Sequence, residues 1–284
     1  MAPQLRNLNE ELPEFLRLHK KKNIAFITTG GAQVPLDRNM VNYMETRCRG
    51  ADGAAFAEYF LKKDYAVIFL HREDSPLPFS PRRGSLYETF ELPNKIVIKR
   101  CVALKEAEKS DEDYSSLLFN VSYRSFKDYF ETLGKMGLLL DAQNRRVLTL
   151  FAAASEDDHL PEKAKPLFKV LEDNELNPEV RVAPDAINYF IGLAPHAMFV
   201  AYQVYASKEQ EKECVSTLLD SEEYIDCIVS CNVEKKDKKA NLWLHGRYLN
   251  RRVNKEHEEI EESIVYQLTI IHDDYINYGT YIIK

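Results

Sequence analysis

Ile24-Ala25-Phe26-Ile27-Thr28-Thr29-Gly30-Gly31 opens the stretch, Asn23 to Leu70, whose reading decides the fold. A short apolar run that ends in a glycine pair is the pattern of a buried parallel strand followed by a sharp turn. A long excursion leads from it to Gly50 and Gly53, and then to Ala54-Ala55-Phe56-Ala57-Glu58-Tyr59-Phe60-Leu61, a good helical run. Small residues where such a helix starts let an anion approach its free N–H groups. Tyr65 to Leu70 returns as a second apolar strand, which completes a βαβ unit. The excursion splits the four glycines, so they do not make the dinucleotide fingerprint, and no Walker lysine follows them. A phosphate or nucleotide site and a set of plain tight turns both account for them.

Strands and helices keep alternating on either side of this unit. Leu8 to Lys22 reads as an amphipathic leader helix ending in a lysine run, so residues 1–22 lead into one α/β domain over 1–284. Ser75 to Gly84, with three prolines and two arginines, reads as a loop, and Lys95 to Val102 as a third strand. A helix is expected from about Arg124 to Met136, ended by Gly137 and the polar turn Asp141 to Asn144. Val147 to Ala154 is a strand running into Ala152, Ala153 and Ala154, small residues that leave room for a ligand in a crevice. Ala186 to Leu193 is a short helix after Pro184, and Ala197 to Val204 a buried strand. Ser207 with Gln210 forms a capping box for a helix through Leu219. Tyr224 to Cys231 is a further strand with Asn232 just past its end, and Leu242-Trp243-Leu244 an added one. Ile260, Ile264, Leu268 and Ile271 space a final amphipathic helix. The order predicts a doubly wound, mostly parallel α/β sheet with helices on both faces, Rossmann-like, around one open crevice.

Composition narrows the function classes. A net charge of −7 in 284 residues argues against nucleic acid as the main partner. No apolar run approaches the roughly 18 residues that cross a bilayer. Glu10, Glu11 and Glu14 stand where a secretory signal is apolar. Five cysteines without a framework of spacings suit a reducing cytosol, and the expected location is cytoplasmic. Cys227 and Cys231 flank Ile228-Val229 on an apolar strand and read as core, not as metal ligands.

Several charged groups carry two readings. Arg82 and Arg83 suit a phosphate or an open surface, with the surface favoured. Ser155-Glu156-Asp157-Asp158-His159-Leu160-Pro161 follows the small-residue crevice, and on chemistry alone it is an acidic surface loop.

From Ile27 onward the residues resemble a known family. Ile27-Thr28-Thr29-Gly30-Gly31-Ala32-Gln33-Val34-Pro35-Leu36-Asp37 resembles the eukaryotic phosphopantothenoylcysteine synthetases (phosphopantothenate–cysteine ligases), which read V-T-S-G-G-T-x-V-P-L-E there. Tyr65-Ala66-Val67-Ile68-Phe69-Leu70-His71-Arg72 is close to their G-Y-x-V-I-F-L-x-R. Their A-A-A-V-S-D-F-x-V-P lies over Ala152 to Pro161, which puts Asp157 on the family's aspartate. Pro166-Leu167-Phe168-Lys169-Val170 lies over P-x-H-K-I, and Asn232 over the asparagine of V-x-x-N.

The resemblance implies a ligase that joins 4′-phosphopantothenate to cysteine in coenzyme A biosynthesis through an acyl-nucleotidylate. It implies ATP, with CTP as the other choice, Mg²⁺ to offset the triphosphate charge, and a homodimer. Gly30, Gly31, Gly50 and Gly53 would cradle phosphates, with Asp157 beside the nucleotide; Asn232 and the ring of Tyr202 would hold the base. Ala153 and Ala154 would line the substrate crevice. Lys169 would stabilise charge on the activated phosphates, against the plain reading of one solvated lysine beside Lys163 and Lys165. The chain departs from the family between Val41 and Gly53, where D-N-F-S-S-G-R-R-G becomes Glu45 to Gly53 and only the two glycines stay in place. Thr46 stands for the asparagine that meets the acyl intermediate, and Asp52 for an arginine. The lysine and glutamate of F-K-L-E-T are Gln203 and Tyr205. A catalytically impaired paralogue, serving as a nucleotide-binding or regulatory subunit in coenzyme A synthesis, is therefore the second expectation.

Overall fold

The structure is a computed structural model. It describes residues 8–30, 33–35, 43–45, 51–80, 87–92, 95–100, 114–124, 126–152, 186–205, 208–209, 211–212, 215–216, 226–233, 240–246, 249–253 and 259–279. Twelve strands are present among them: β1 (Ile24–Thr29), β2 (Gln33–Pro35), β3 (Tyr43–Glu45), β4 (Ala66–Arg72), β5 (Tyr87–Leu92), β6 (Lys95–Arg100), β7 (Leu118–Tyr123), β8 (Val147–Phe151), β9 (Met198–Tyr205), β10 (Cys227–Val233), β11 (Ala240–Gly246) and β12 (Leu249–Val253). The helices are α1 (Leu8–Leu18), α2 (Ala51–Lys62), α3 (Phe126–Asp141), α4 (Ala186–Leu193) and α5 (Ile260–Tyr278).

Eight strands form the main sheet in the order β12-β11-β10-β9-β8-β1-β4-β7. The six from β7 to β10 are parallel, while β11 and β12 continue the sheet as antiparallel strands. Taken in chain order, the parallel strands run 3-2-1-4-5-6, so the direction of winding reverses between β1 and β8. Such a reversal opens a crevice at the carboxyl ends of those two strands.

Alternation along each strand sends side chains to two cores. Ile24 and Phe26 of β1 pack with Leu12, Leu133, Met136 and Phe190 on the face of α1, α3 and α4. Ala25 and Ile27 pack with Phe56, Phe60, Ile264 and Leu268 on the face of α2 and α5. Both faces being covered explains why the central strands read as unbroken apolar runs.

Three expectations need correction. Lys95–Arg100 is a strand but not the third of the sheet, because it pairs antiparallel with β5 in a separate two-stranded ribbon. That third place belongs to β7, beside β4. Gly137 does not end α3, which runs on to Asp141. A Cβ there would come within 2.7 Å of Leu193 Cβ, so the glycine lets α4 sit close. Asn232 lies inside β10, in register with Tyr205 and Asn241, not beyond the strand's end. The helix expected from Ser207 falls largely outside the described residues.

At the amino-terminal end of the sheet the half-buried Asp226 and the buried His272 act on stability in opposite senses as pH changes. Asp226 accepts the Phe199 N–H at 2.8 Å, and burial pushes its carboxyl up to about 6. His272 lies between the Tyr65 hydroxyl (2.9 Å) and the Arg145 carbonyl (3.0 Å), and burial pushes it down to about 4. A raised carboxyl takes up its proton in the folded state first, so Asp226 costs stability as pH rises through 4–6. A depressed imidazole works the other way: unfolded chains take the proton first, and stability is lost as pH falls from 6.5 to 4. Asp226→Asn keeps an acceptor for Phe199. It should raise stability at pH 7 by about 1–3 kcal/mol and steepen the loss between pH 6.5 and 4. Urea unfolding at pH 7, 5.5 and 4.5 checks this, and an unchanged midpoint at pH 7 would refute it.

Candidate active site

The crevice begins where β1 and β8 part. Ala152 N–H, just past the end of β8, donates to the Thr28 carbonyl at 3.0 Å. On the β1 side, Gly30 turns the backbone with φ +85°, a conformation that glycine takes without strain. A Cβ at Gly30 would also crowd Arg72 Cβ at 2.9 Å and the Arg72 backbone nitrogen at 3.1 Å. Arg72 and Asp74, on the far side of that turn, form a two-armed ion pair that includes Arg72 Nη2 to Asp74 Oδ2 at 2.6 Å. This bond holds the Asp74 carboxyl below its ordinary range.

The start of α2 sits directly over the end of β1. Gly53 faces Thr29, and a Cβ there would fall inside van der Waals contact with Thr29 Oγ1 and Cβ. The missing side chain is therefore what lets the helix rest on the strand, with its first N–H groups over the crevice. Asp52, in the first turn, brings a carboxylate to the same place. Tyr202 of β9 is 6% exposed; its ring meets Phe56 edge-on at 4.9 Å, and its hydroxyl reaches Asp52 Oδ2 at 3.4 Å. Burial above all, and then the charge of Asp52, push the Tyr202 phenol well up, so it stays a donor. Cys231 is pushed up to about 11, mainly by burial and then by Asp52, so it remains a thiol. Tyr202 thus serves α2 and Asp52 through ring and hydroxyl together.

No protein-family model matches the chain. It is 26% identical to phosphopantothenate–cysteine ligase 2 of Oryza sativa subsp. japonica, across 97% of this chain and 91% of that one. Identity to phosphopantothenate–cysteine ligase CAB2 of Saccharomyces cerevisiae is 25%, across 95% and 82%. This chain is a relative of the phosphopantothenate–cysteine ligases. Its fold is also similar to a solved Cab2 mutant in complex with phosphopantothenate-cysteine, with a TM-score of 0.69 and 21% identity across 98% of this chain and 97% of that one.

Against that relationship the residues singled out in the sequence divide into three groups. Gly30 and Gly53 come together at the carboxyl end of β1 and the start of α2, and Tyr202, midway along β9, meets that helix at Asp52 and Phe56. Asn232 belongs to the same end of the sheet, near the close of β10, three strands from β1 and so about 14 Å across. Gly31, Thr46, Gly50, Ala153, Ala154, Asp157 and Lys169 lie outside the described residues. Two residues at the crevice escaped the sequence reading: Ser75, in the turn after β4, and Tyr123, at the end of β7. Nothing in their local pattern says where a hydroxyl will point, because the contact depends on strand order.

Among the described residues no helix is long and apolar enough to cross a membrane. Nor do three His, Cys, Asp or Glu side chains among them converge to hold a metal ion.

Proposed function

We propose that this protein joins 4′-phosphopantothenate to cysteine with a nucleoside triphosphate as the activating substrate. The observation that carries this is the winding reversal between β1 and β8, with Gly30 and the start of α2 on its rim, in a chain related to these ligases over nearly its whole length. A carboxylate is a poor acyl donor. Attack of the phosphopantothenate carboxylate on the α-phosphorus expels pyrophosphate and leaves an acyl-nucleotidylate. The amine of cysteine then attacks the acyl carbon, loses its proton, and releases the nucleoside monophosphate as the amide forms.

In this reading the Gly30 turn and the first N–H groups of α2 receive phosphate oxygens. Gly31 and Gly50 extend that cradle, Asp157 and Asn232 bind the nucleotide towards its base, and Thr46, Ala153 and Ala154 face the acyl group. Lys169 offsets charge on the departing pyrophosphate. ATP is the proposed nucleotide, CTP the alternative, with Mg²⁺ entering on the triphosphate. A cytoplasmic homodimer of a single domain completes the proposal. Purified protein given Mg²⁺ and either nucleotide should release pyrophosphate over many turnovers only when 4′-phosphopantothenate and cysteine are both present, and at most about one equivalent when cysteine is withheld.

Asp52 favours a second reading, a nucleotide-binding or regulatory subunit with little turnover. Its carboxylate stands in the first turn of α2, where the macrodipole also attracts phosphate, and like charges compete there. Asp52→Arg should therefore tighten nucleotide binding several-fold, most clearly at low salt, the scale expected of about 1 kcal/mol at a helix start. Paired with Thr46→Asn, it should also raise turnover in a weakened ligase; tighter binding with background turnover would favour the subunit. Unchanged affinity at low salt would remove the phosphates from this helix.

A further inference from the structure

We infer that Tyr123 is a positioning residue of this crevice, holding the Gly30 turn from two strands away, and that Ser75 Oγ donates to an anionic oxygen of the bound ligand. Tyr123 ends β7 and is buried. Its hydroxyl lies 2.5 Å from the Gly30 carbonyl and 3.1 Å from that of Thr29, and it donates to this pair. The strand β4 stands between β7 and β1, so no ladder bond does this work. The ring is held in turn by Tyr129 of α3, with centroids 4.9 Å apart. Tyr123 thereby supplies a side-chain donor to the backbone carbonyls of the turn at the glycine that bounds the crevice.

Ser75 approaches the same glycine from the other side. Its backbone N–H closes the turn after β4 by donating to the Arg72 carbonyl at 2.9 Å. The side chain is brought against the face of Gly30 where a Cβ would stand. Ser75 is 7% exposed, and among the described residues no group bonds to its hydroxyl. Buried hydroxyls are nearly always satisfied, so one left over at the carboxyl ends of a parallel sheet is fitted to a ligand acceptor. A phosphate of the nucleotide and the phosphate of 4′-phosphopantothenate offer the same chemistry. The choice of these ligands rests on the proposed function.

The test uses the full chain and isothermal titration with Mg-ATP and, separately, with 4′-phosphopantothenate. Tyr123→Phe should weaken Mg-ATP binding about tenfold and raise its KM in the pyrophosphate assay, with kcat within about twofold of wild type. Tyr129→Phe, which deletes the neighbouring hydroxyl, should bind as wild type does. Ser75→Ala should weaken one of the two ligands at least fivefold, and which one it weakens identifies the anion. Wild-type affinity for Mg-ATP in Tyr123→Phe, or for both ligands in Ser75→Ala, would overturn the inference while leaving the proposed function standing. A wild-type protein that binds neither ligand would overturn the proposed function, and this inference with it.

Discussion

Lys169→Ala should lower kcat for pyrophosphate release by about 100-fold or more, while Lys163→Ala stays near wild type. The reason is where charge develops. As the carboxylate displaces pyrophosphate, negative charge grows on the bridging and terminal oxygens of the leaving group. A lysine is a compact, mobile cation that can follow that charge, and its contribution is larger in the transition state than in the bound substrate. Removal should therefore fall on kcat more than on nucleotide KM, and Lys169→Arg should rescue only in part because its planar fork meets oxygens differently. Lys169 lies outside the described residues, and the expectation rests on the placement of Pro166-Leu167-Phe168-Lys169-Val170 along the family's pattern. Equal turnover in Lys169→Ala and Lys163→Ala would take this lysine out of the site.

Much of the fold was legible because its signals are local. Ile24 to Ile27 and Ala66 to Leu70 are apolar on both faces, as a strand covered on both sides requires. The short helix Ala186–Leu193 was read to its ends, and α2 began within a residue of Gly50. Lys95–Arg100 shows the limit. A strand's own sequence gives its pattern but not its partner, and the antiparallel match with Tyr87–Leu92 lies in register, not in composition.

The site divides along the same line. Gly30 and Gly53 were legible as glycines at a turn and a helix start, since each marks a close backbone approach. That Asp52 meets Tyr202 was not, because they are 150 residues apart and meet only once β9 is placed. Tyr123 and Ser75 were silent for the same reason. Their hydroxyls become informative only after the winding order puts β4 beside β1 and β7 one strand further out.

Gly53→Ala should cost about 2–3 kcal/mol of stability and weaken nucleotide binding at least tenfold, although alanine is the better helix former by about 1 kcal/mol. What wins is the contact beneath the helix. The added methyl would collide with Thr29 Oγ1 and Cβ and come to 3.1 Å from Cγ2. None of these is the far end of a flexible chain: Thr29 is β-branched, fully buried, and pinned in β1 opposite His71. The strand cannot give way, so the start of α2 must lift, and its N–H groups leave the position where they can reach an anion at Gly30. Gly192→Ala in α4 is the matched control, because nothing lies within 4 Å of a Cβ there. At this exposed helix position that change should be neutral or stabilise by up to about 1 kcal/mol, with unchanged binding. Urea unfolding and Mg-ATP titration of both variants measure the two halves of the effect. Should Gly53→Ala match Gly192→Ala in both, the helix does not rest on Thr29, and the crevice is not built from the start of α2.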